Sequence, residues 1–258
     1  MIENPSEWRL YSRIYDIYYG NYQADVKYLQ RVWQPGWGAV LEIGTGTGRL
    51  LPFLQEQGVR KYVGLDTCAQ MLDLAFQKGL PPEFRLIDAD LTQMSLEPEY
   101  DLILYSFNTA NYILDAPCFE KHLSACASAL RPEGRVFLDL YIPFALRRND
   151  NGAYGLRERV VNNGSVYELY DRRFFDPKLR IEERYHTSLE AQGGRVCAEV
   201  AFKTWRRYYP LDEIEAIGQK VGMRVHSFEE YGEDHVEGMY VMLSKTTRST
   251  FKSHVKTR

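Results

Sequence analysis

Two acids and three glycines in this chain are spaced to hold a polar ligand. Glu42, Gly44, Gly46 and Gly48 fall in Val40-Leu41-Glu42-Ile43-Gly44-Thr45-Gly46-Thr47-Gly48-Arg49-Leu50-Leu51, and Asp66 closes Lys61-Tyr62-Val63-Gly64-Leu65. Residues 39–43 read as a short buried strand and Arg49 to Gln57 as a helix, which makes the glycines the turn between them. In such a turn the missing Cβ atoms let a ligand approach the backbone, and free N–H groups of the first helical turn attract anionic or polar groups. An acid ending the next strand, about twenty residues on, is placed to accept from ribose hydroxyls. Glu42 is the odd member, because an acid in an apolar strand is costly to bury alone. It either caps local backbone N–H groups or faces a cationic ligand.

The glycine turn alone fits two cofactors. A dinucleotide turn prefers G-x-G-x-x-G, whose third glycine packs the helix on the strand. Here the order is G-x-G-x-G, with Arg49 where that glycine would fall. The ordered set E-x-G-x-G-x-G, then Asp66, then the elements below, resembles the class I S-adenosylmethionine-dependent methyltransferases over about residues 10 to 245. Among these it is similar to the small-molecule enzymes with a β-strand lid insertion. The resemblance implies S-adenosyl-L-methionine as cofactor and S-adenosyl-L-homocysteine as product. It assigns the cofactor's amino-acid end to Glu42, Gly44, Thr45, Gly46 and Gly48, and the ribose to Asp66 with Thr67 beside it. It assigns adenine to Met71 and to Ala89-Asp90-Leu91, which align with the family's Gly-Asp-apolar element; Asp88 is the rival acid. Cys68 stands where serine is common. Ser106, Phe107 and Asn111, after the fourth strand, complete the expected cofactor set. In related enzymes an N-terminal Tyr-Asp pair, here Tyr15-Asp16, begins a cap, so Tyr11, Tyr15 and Tyr22 are expected at the cofactor as well. Tyr11, Tyr15, Tyr18 and Tyr22 share one helical face, which reads either as rings packed on the core or as a lid whose hydroxyls reach a ligand.

Methyl transfer is an in-line displacement at carbon from an activated leaving group. The protein's tasks are alignment, exclusion of water and a suitable polar environment, and a neutral amine nucleophile needs no acid–base pair. Ser106-Phe107-Asn108-Thr109 is not the N/D/S-P-P-Y/F string of enzymes acting on nucleobase nitrogens. Asp139 alone is too little for a magnesium-dependent catechol type. The expected acceptor is a small molecule: an amine, an amino-acid-like compound or a natural-product intermediate. Candidate substrate residues are Asn108, Tyr141, Trp205, Arg207 and Tyr209; Tyr15, Asn108 and His186 are candidates to hydrogen-bond the nucleophile. Trp205, Arg207 and Tyr209 share a strand face by period-two spacing, and Arg207 suits a carboxylate or phosphate through its bidentate fork. The competing reading is a packed aromatic lid with Arg207 paired to an acid. Rival functions are a protein or RNA methyltransferase, a non-catalytic S-adenosylmethionine-binding module, and a nicotinamide-dependent oxidoreductase, the last disfavoured by the glycine spacing.

The elements that must position these residues alternate strand and helix as far as Tyr141. That pattern is an α/β, Rossmann-like, doubly wound sheet, seven-stranded in the family. Aromatic-rich alternating runs then follow, split by Asn162-Asn163-Gly164, Asp176-Pro177 and Gln192-Gly193-Gly194, and read as an antiparallel β lid inserted after the fifth strand. The expected division is an N-terminal helical cap (1–38), the cofactor domain (39–144 and 209–247), the lid (145–208) and a basic tail (248–258). With 258 residues, 45% hydrophobic content and net charge -3, no broad basic surface is implied, and neither nucleic acid nor membrane is an expected partner. Met1 to Pro5 is not a signal peptide, so a cytoplasmic protein is expected. Cys68, Cys118, Cys126 and Cys197 are far apart and read as reduced thiols, and the scattered histidines give no metal site. A homodimer is left open.

Overall fold

The computed structural model describes residues 5–146, 151–232 and 237–246. Two helices, α1 (Pro5–Tyr19) and α2 (Ala24–Val32), precede the first sheet. The alternating segment follows as β1 (Ala39–Ile43), α3 (Leu51–Glu56), β2 (Lys61–Asp66), α4 (Ala69–Gln77), β3 (Phe84–Asp88), β4 (Tyr100–Tyr105), α5 (Ala116–Ala129) and β5 (Leu130–Tyr141). Then come the strands β6 (Tyr154–Asn162), β7 (Ser165–Asp176), β8 (Ile181–Gln192) and β9 (Arg195–Arg207), and finally α6 (Leu211–Lys220), β10 (Met223–Tyr231) and β11 (Gly238–Lys245).

The first sheet has seven strands in the order β3-β2-β1-β4-β5-β11-β10, parallel except for β11, which runs against β5 and β10. Its centre is covered on both faces, which is why β1 and β4 are near-continuous apolar runs; Val40, Leu41, Leu102, Ile103 and Leu104 are fully buried. The strand order reverses between β1 and β4, so the crevice beyond their carboxyl ends is where such a sheet binds ligands. The segment Arg131-Pro132-Glu133-Gly134 reads in the sequence as a turn before the fifth strand, and the structure differs. Residues 131–134 lie inside β5, where the register jumps from Tyr100 opposite Leu130 to Leu102 opposite Arg135. The chain bulges there instead of turning, and a Cβ on Gly134 would lie 3.0 Å from the Tyr100 carbonyl.

The second sheet is the antiparallel meander β6-β7-β8-β9. Its hairpins follow from turn chemistry. Asn163 and Gly164 (φ 49° and 82°) and Gly193 and Gly194 (φ 58° and 78°) are the paired left-handed residues of two-residue hairpin turns. Between β7 and β8, the Asp176 carboxylate accepts from the N–H groups of Lys178 and Leu179. Helix α1 is wedged between this sheet and the first. On one side Tyr11 packs on Phe202 (centroids 4.5 Å apart) and the Tyr18 hydroxyl bonds Ser188 (2.9 Å). On the other, Asp16 accepts from Thr47 of the glycine turn (2.5 Å) and pairs with Lys78 of α4 (2.7 Å).

Among the described residues no helix is long and apolar enough to cross a membrane, and no three His, Cys, Asp or Glu side chains group as metal ligands do. Of the basic tail, Arg248, Lys252, Lys256 and Arg258 lie outside the described residues, while Lys245 donates to the Leu130 carbonyl.

Candidate active site

The glycine turn uses its three glycines, all at positive φ, in two ways. A Cβ on Gly44 would lie 2.5 Å from Thr109, and one on Gly48 would collide with Leu51 and crowd Ala75, so these two serve close packing. A Cβ on Gly46 would meet nothing within 4 Å, because that glycine borders open space. The space is a cavity of about 170 Å³ at the carboxyl ends of β1, β2 and β4. At this end it is lined by Glu42, Gly44, Thr45, Gly46, Asp66, Thr67, Cys68 and Met71.

Asp66 ties two turns together. One carboxylate oxygen accepts from the Gly46 N–H (2.8 Å) and the other from the Cys68 N–H (2.9 Å). Burial pushes its carboxyl up from the usual range, and the Cys68, Gly46 and Thr67 N–H groups oppose that shift. Glu42 is 1% exposed, and among the described residues it neither caps backbone N–H groups nor forms an ion pair. Its oxygens accept from three hydroxyls, those of Tyr62 (2.6 Å), Ser106 (2.7 Å) and Thr45 (3.2 Å). Burial raises its carboxyl too, against those bonds and the charge of Arg49.

Arg49, in the place of a dinucleotide fold's third glycine, reaches back to the N-terminal helices. Its guanidinium donates to both oxygens of Asp25 (2.9 and 2.5 Å) and to the Tyr22 carbonyl (2.9 Å). It also faces the rings of Tyr22 and Phe107. Arg49 and Phe107 line the cavity; Tyr22 packs behind Phe107 (4.8 Å) and does not. After β4 the chain reverses through two consecutive left-handed residues, Phe107 (φ 47°) and Asn108 (φ 67°), a conformation non-glycine residues resist. Asp139 holds it, accepting from the Phe107 N–H (3.0 Å) and the Tyr231 hydroxyl (2.8 Å). That carboxyl is fully buried, and burial followed by the charge of Asp25 pushes it up to about 7.

The far end of the cavity is built by α1, the turn after β4, and the lid: Trp8, Tyr11, Tyr15, Thr109, Tyr112 and Arg206, with Ser106 and Phe107 between the two ends. Residues 109–112 form a 3-10 turn. Side chains three apart eclipse in such a turn, so Thr109 and Tyr112 share the cavity side. Asn111 is turned inward, donating to the Tyr141 and Arg207 carbonyls and accepting from the Tyr141 N–H. It clamps the first sheet to the lid rather than touching the cavity.

Several expected site residues therefore lie elsewhere. On β9 the inward face is Phe202, Thr204 and Arg206, one residue out of register with the expected Trp205 and Arg207. Trp205 lies on the opposite face beside Lys203, and Arg207 pairs with Glu213 (2.7 Å). Tyr209 is fully buried, packed on Phe119 and donating to the Ile113 carbonyl, so it belongs to the core. Tyr141 is buried between β5 and the lid, its hydroxyl on Glu182. His186 stacks on Phe202 (4.6 Å) and shares a hydrogen bond with Thr204 (3.0 Å), behind Tyr11. Burial, then the charges of Arg184, Arg206, Arg173 and Arg157, hold it neutral. Asn108 is buried and does not line the cavity; neither do Gly48, Ala89, Asp90 and Leu91. Asp90 caps the turn after β3 by accepting from the Thr92 N–H (2.7 Å), Leu91 is in the core, and Asp88 is exposed. Trp8, Arg49 and Arg206 line the cavity outside the expected site residues, and Thr109 and Tyr112 were expected there only as part of the segment after β4; the inward period of β9 would have pointed to Arg206.

Residues 40–134 match the family model described as a methyltransferase domain, and the seven-stranded sheet with its four-stranded antiparallel insertion is the fold shared with the solved methyltransferases below. Cypemycin N-terminal methyltransferase from Streptomyces sp is 29% identical over 140 residues, 52% of this chain and 55% of that protein. The chain thus spans about half the length of that curated relative. The CcbJ methyltransferase of Streptomyces caelestis superposes with a TM-score of 0.79 at 18% identity, covering 95% of this chain and 100% of that one. CalS10 from Micromonospora echinaspora, an amino pentose methyltransferase with S-adenosylmethionine bound, gives a TM-score of 0.71 at 20% identity, covering 95% of this chain and 98% of that one.

The residues of the cavity fit that cofactor. Gly46 leaves room for close approach, and Asp66 lines the same space with a carboxylate able to accept from hydroxyls. Glu42 adds a buried carboxylate that favours a cationic ligand and opposes a pyrophosphate beside the same turn.

Proposed function

We propose that this chain is an S-adenosylmethionine-dependent methyltransferase that N-methylates a small amine enclosed between the glycine turn and the lid. The observation that carries the reading is the continuity of the cavity. One space runs from Gly46 and Asp66 to Tyr112 and Arg206 under α1. Such a space would hold a cofactor and an acceptor side by side, closed by rings.

The cofactor, when bound, supplies a methyl group on a positively charged sulfur. The chain's own residues supply the rest. Gly44 to Gly46 and Asp66 would hold the amino-acid end and the ribose, with Met71 and Cys68 as an apolar wall for the adenine. Tyr11, Tyr15, Phe107 and Tyr112 surround the acceptor and exclude water, which is where proximity and orientation act. No described lining residue of that half suits the task of general base at neutral pH. Burial lifts the Tyr11 and Tyr15 hydroxyls far above the ordinary tyrosine range, and His186 is shut behind Tyr11. A neutral amine would need no such base: its lone pair would take the methyl group that the cofactor supplies, the sulfur would leave as a neutral thioether, and the surplus proton would pass to solvent.

Calorimetric titration with S-adenosylhomocysteine tests the cofactor half. Binding that saturates at one site per chain, with no competition from NAD, supports the proposal; preferential NAD binding defeats it.

A further inference from the structure

The arginines around the lid and the glycine turn differ in how they are neutralised. Arg49 is matched by Asp25, Arg207 by Glu213, and Arg184 by Asp171 and Glu182. Arg206 is the exception among the cavity's lining residues. It is half-buried, and no carboxylate of the described residues lies within ion-pairing distance of it. Its Nε and one terminal nitrogen both donate to a neutral group, the Tyr112 hydroxyl (3.0 and 2.7 Å). Its guanidinium carbon lies 5.0 Å from the Tyr112 ring centre and 5.3 Å from that of Tyr141. Its cross-strand neighbour Glu182 is engaged by Arg184 and the Tyr141 hydroxyl. A guanidinium half-removed from water retains most of its charge-assisted bonding capacity when its partner is a phenol.

We infer that Arg206 is the specificity-determining residue of the acceptor half, and that the acceptor carries an anionic group, a carboxylate or a phosphate, besides its amine. This rests on the methyltransferase reading above. The guanidinium fork matches either anion in a planar, bidentate way that an ammonium or amide cannot reproduce. With the anion held at Arg206, the amine end is left to face Tyr15, Thr109 and the cofactor half. The Tyr112 hydroxyl orients the guanidinium and either accepts alongside the anion or yields its place.

The test is binding of small aromatic probes that suit a cavity walled by Trp8 and tyrosines. Benzoate, phenyl phosphate and the uncharged isostere benzamide are titrated against the 258-residue protein, read by calorimetry and by tryptophan fluorescence, with S-adenosylhomocysteine present. The wild type is expected to bind benzoate or phenyl phosphate at least about tenfold more tightly than benzamide. The anion that wins identifies the acceptor's acidic group. Arg206→Ala should erase that preference, Arg206→Lys should keep part of it, and Arg207→Ala should leave it whole. Equal binding of the three probes by the wild type, or a preference that survives Arg206→Ala, overturns the inference. A merely structural latch on Tyr112 would weaken all probes alike, which also counts against it. S-adenosylhomocysteine affinity is measured separately on each variant. Loss of the probe preference with that affinity intact supports the role of Arg206, whereas a wild type that does not bind S-adenosylhomocysteine defeats the methyltransferase reading.

Discussion

Replacing Asp66 by alanine removes a carboxylate that has two tasks. One is internal: its oxygens accept from the Gly46 and Cys68 N–H groups at 2.8 and 2.9 Å, fixing the glycine turn to the start of α4. The other is toward the ribose. A hydrogen bond to a charged group is worth about 1.5–3 kcal/mol, and a buried donor left unpaired costs about 1–3 kcal/mol. The folded protein does not lose the sum of these terms, because burial already penalises the ionised carboxyl and its removal recovers part of that penalty. A stability loss of about 1–3 kcal/mol is expected, with the two N–H groups open to water entering the cavity. For the ligand, loss of the ribose acceptor at about 1–3 kcal/mol corresponds to about 5- to 150-fold weaker S-adenosylhomocysteine binding. Asp66→Asn keeps one acceptor oxygen and should fall between wild type and alanine in both readouts. Denaturant unfolding gives the first quantity and calorimetry the second. An Asp66→Ala protein with wild-type affinity for S-adenosylhomocysteine would refute the assignment of the ribose to this carboxylate, whatever its stability.

The two glycines flanking Thr47 should respond differently. Gly46→Ala faces open space and costs about 1–2 kcal/mol of backbone strain, but its Cβ enters the cavity, so ligand affinity should fall more than stability. Gly48→Ala should chiefly lower the unfolding midpoint, because its Cβ meets Leu51 and Ala75. Arg49→Ala leaves Asp25, which is 0% exposed, as an uncompensated buried charge; such a loss costs about 3–5 kcal/mol in unfolding experiments. Asp139 predicts a pH signature. Its carboxyl is raised to about 7 in the folded protein, against about 3.9 in an unfolded chain. A raised acid binds more protons folded than unfolded, so its contribution is full at low pH and is lost as pH rises from about 4 through about 7. Asp139→Asn should flatten that decline, measured as unfolding free energy against pH.

The glycine-turn end of the cavity was legible because its chemistry is local. Glu42, Gly44, Gly46 and Asp66 stand in two short strand-to-turn segments, and strand periodicity puts both acids at strand carboxyl ends. The hairpins were legible for a similar reason, since Asn163-Gly164 and Gly193-Gly194 favour the left-handed turn whatever surrounds them. The acceptor half was less so. Which face of β9 turns inward depends on packing against α1, through Phe202 on Tyr11, and a shift of one residue exchanges Arg206 for Arg207. Nothing in the spacing of Arg49 announces Asp25, twenty-four residues earlier, as its partner. Residues 108–112 follow the fourth strand near the switch point, so the sequence alone places the whole segment at the cavity; only the 3-10 geometry sorts Thr109 and Tyr112 from Asn111.

The central proposal is that one cavity brings a methyl donor and a small amine together without a general base. A single-turnover experiment addresses it most directly: the protein, preloaded with methyl-labelled S-adenosylmethionine, is mixed with a pool of small amines across a pH series. The account predicts label in an N-methylated small molecule, formed at a rate that rises with the unprotonated fraction of the amine and levels off above its pKa. Label found only in added protein or RNA, or a rate governed by a titrating group of the enzyme at every amine tested, would contradict it.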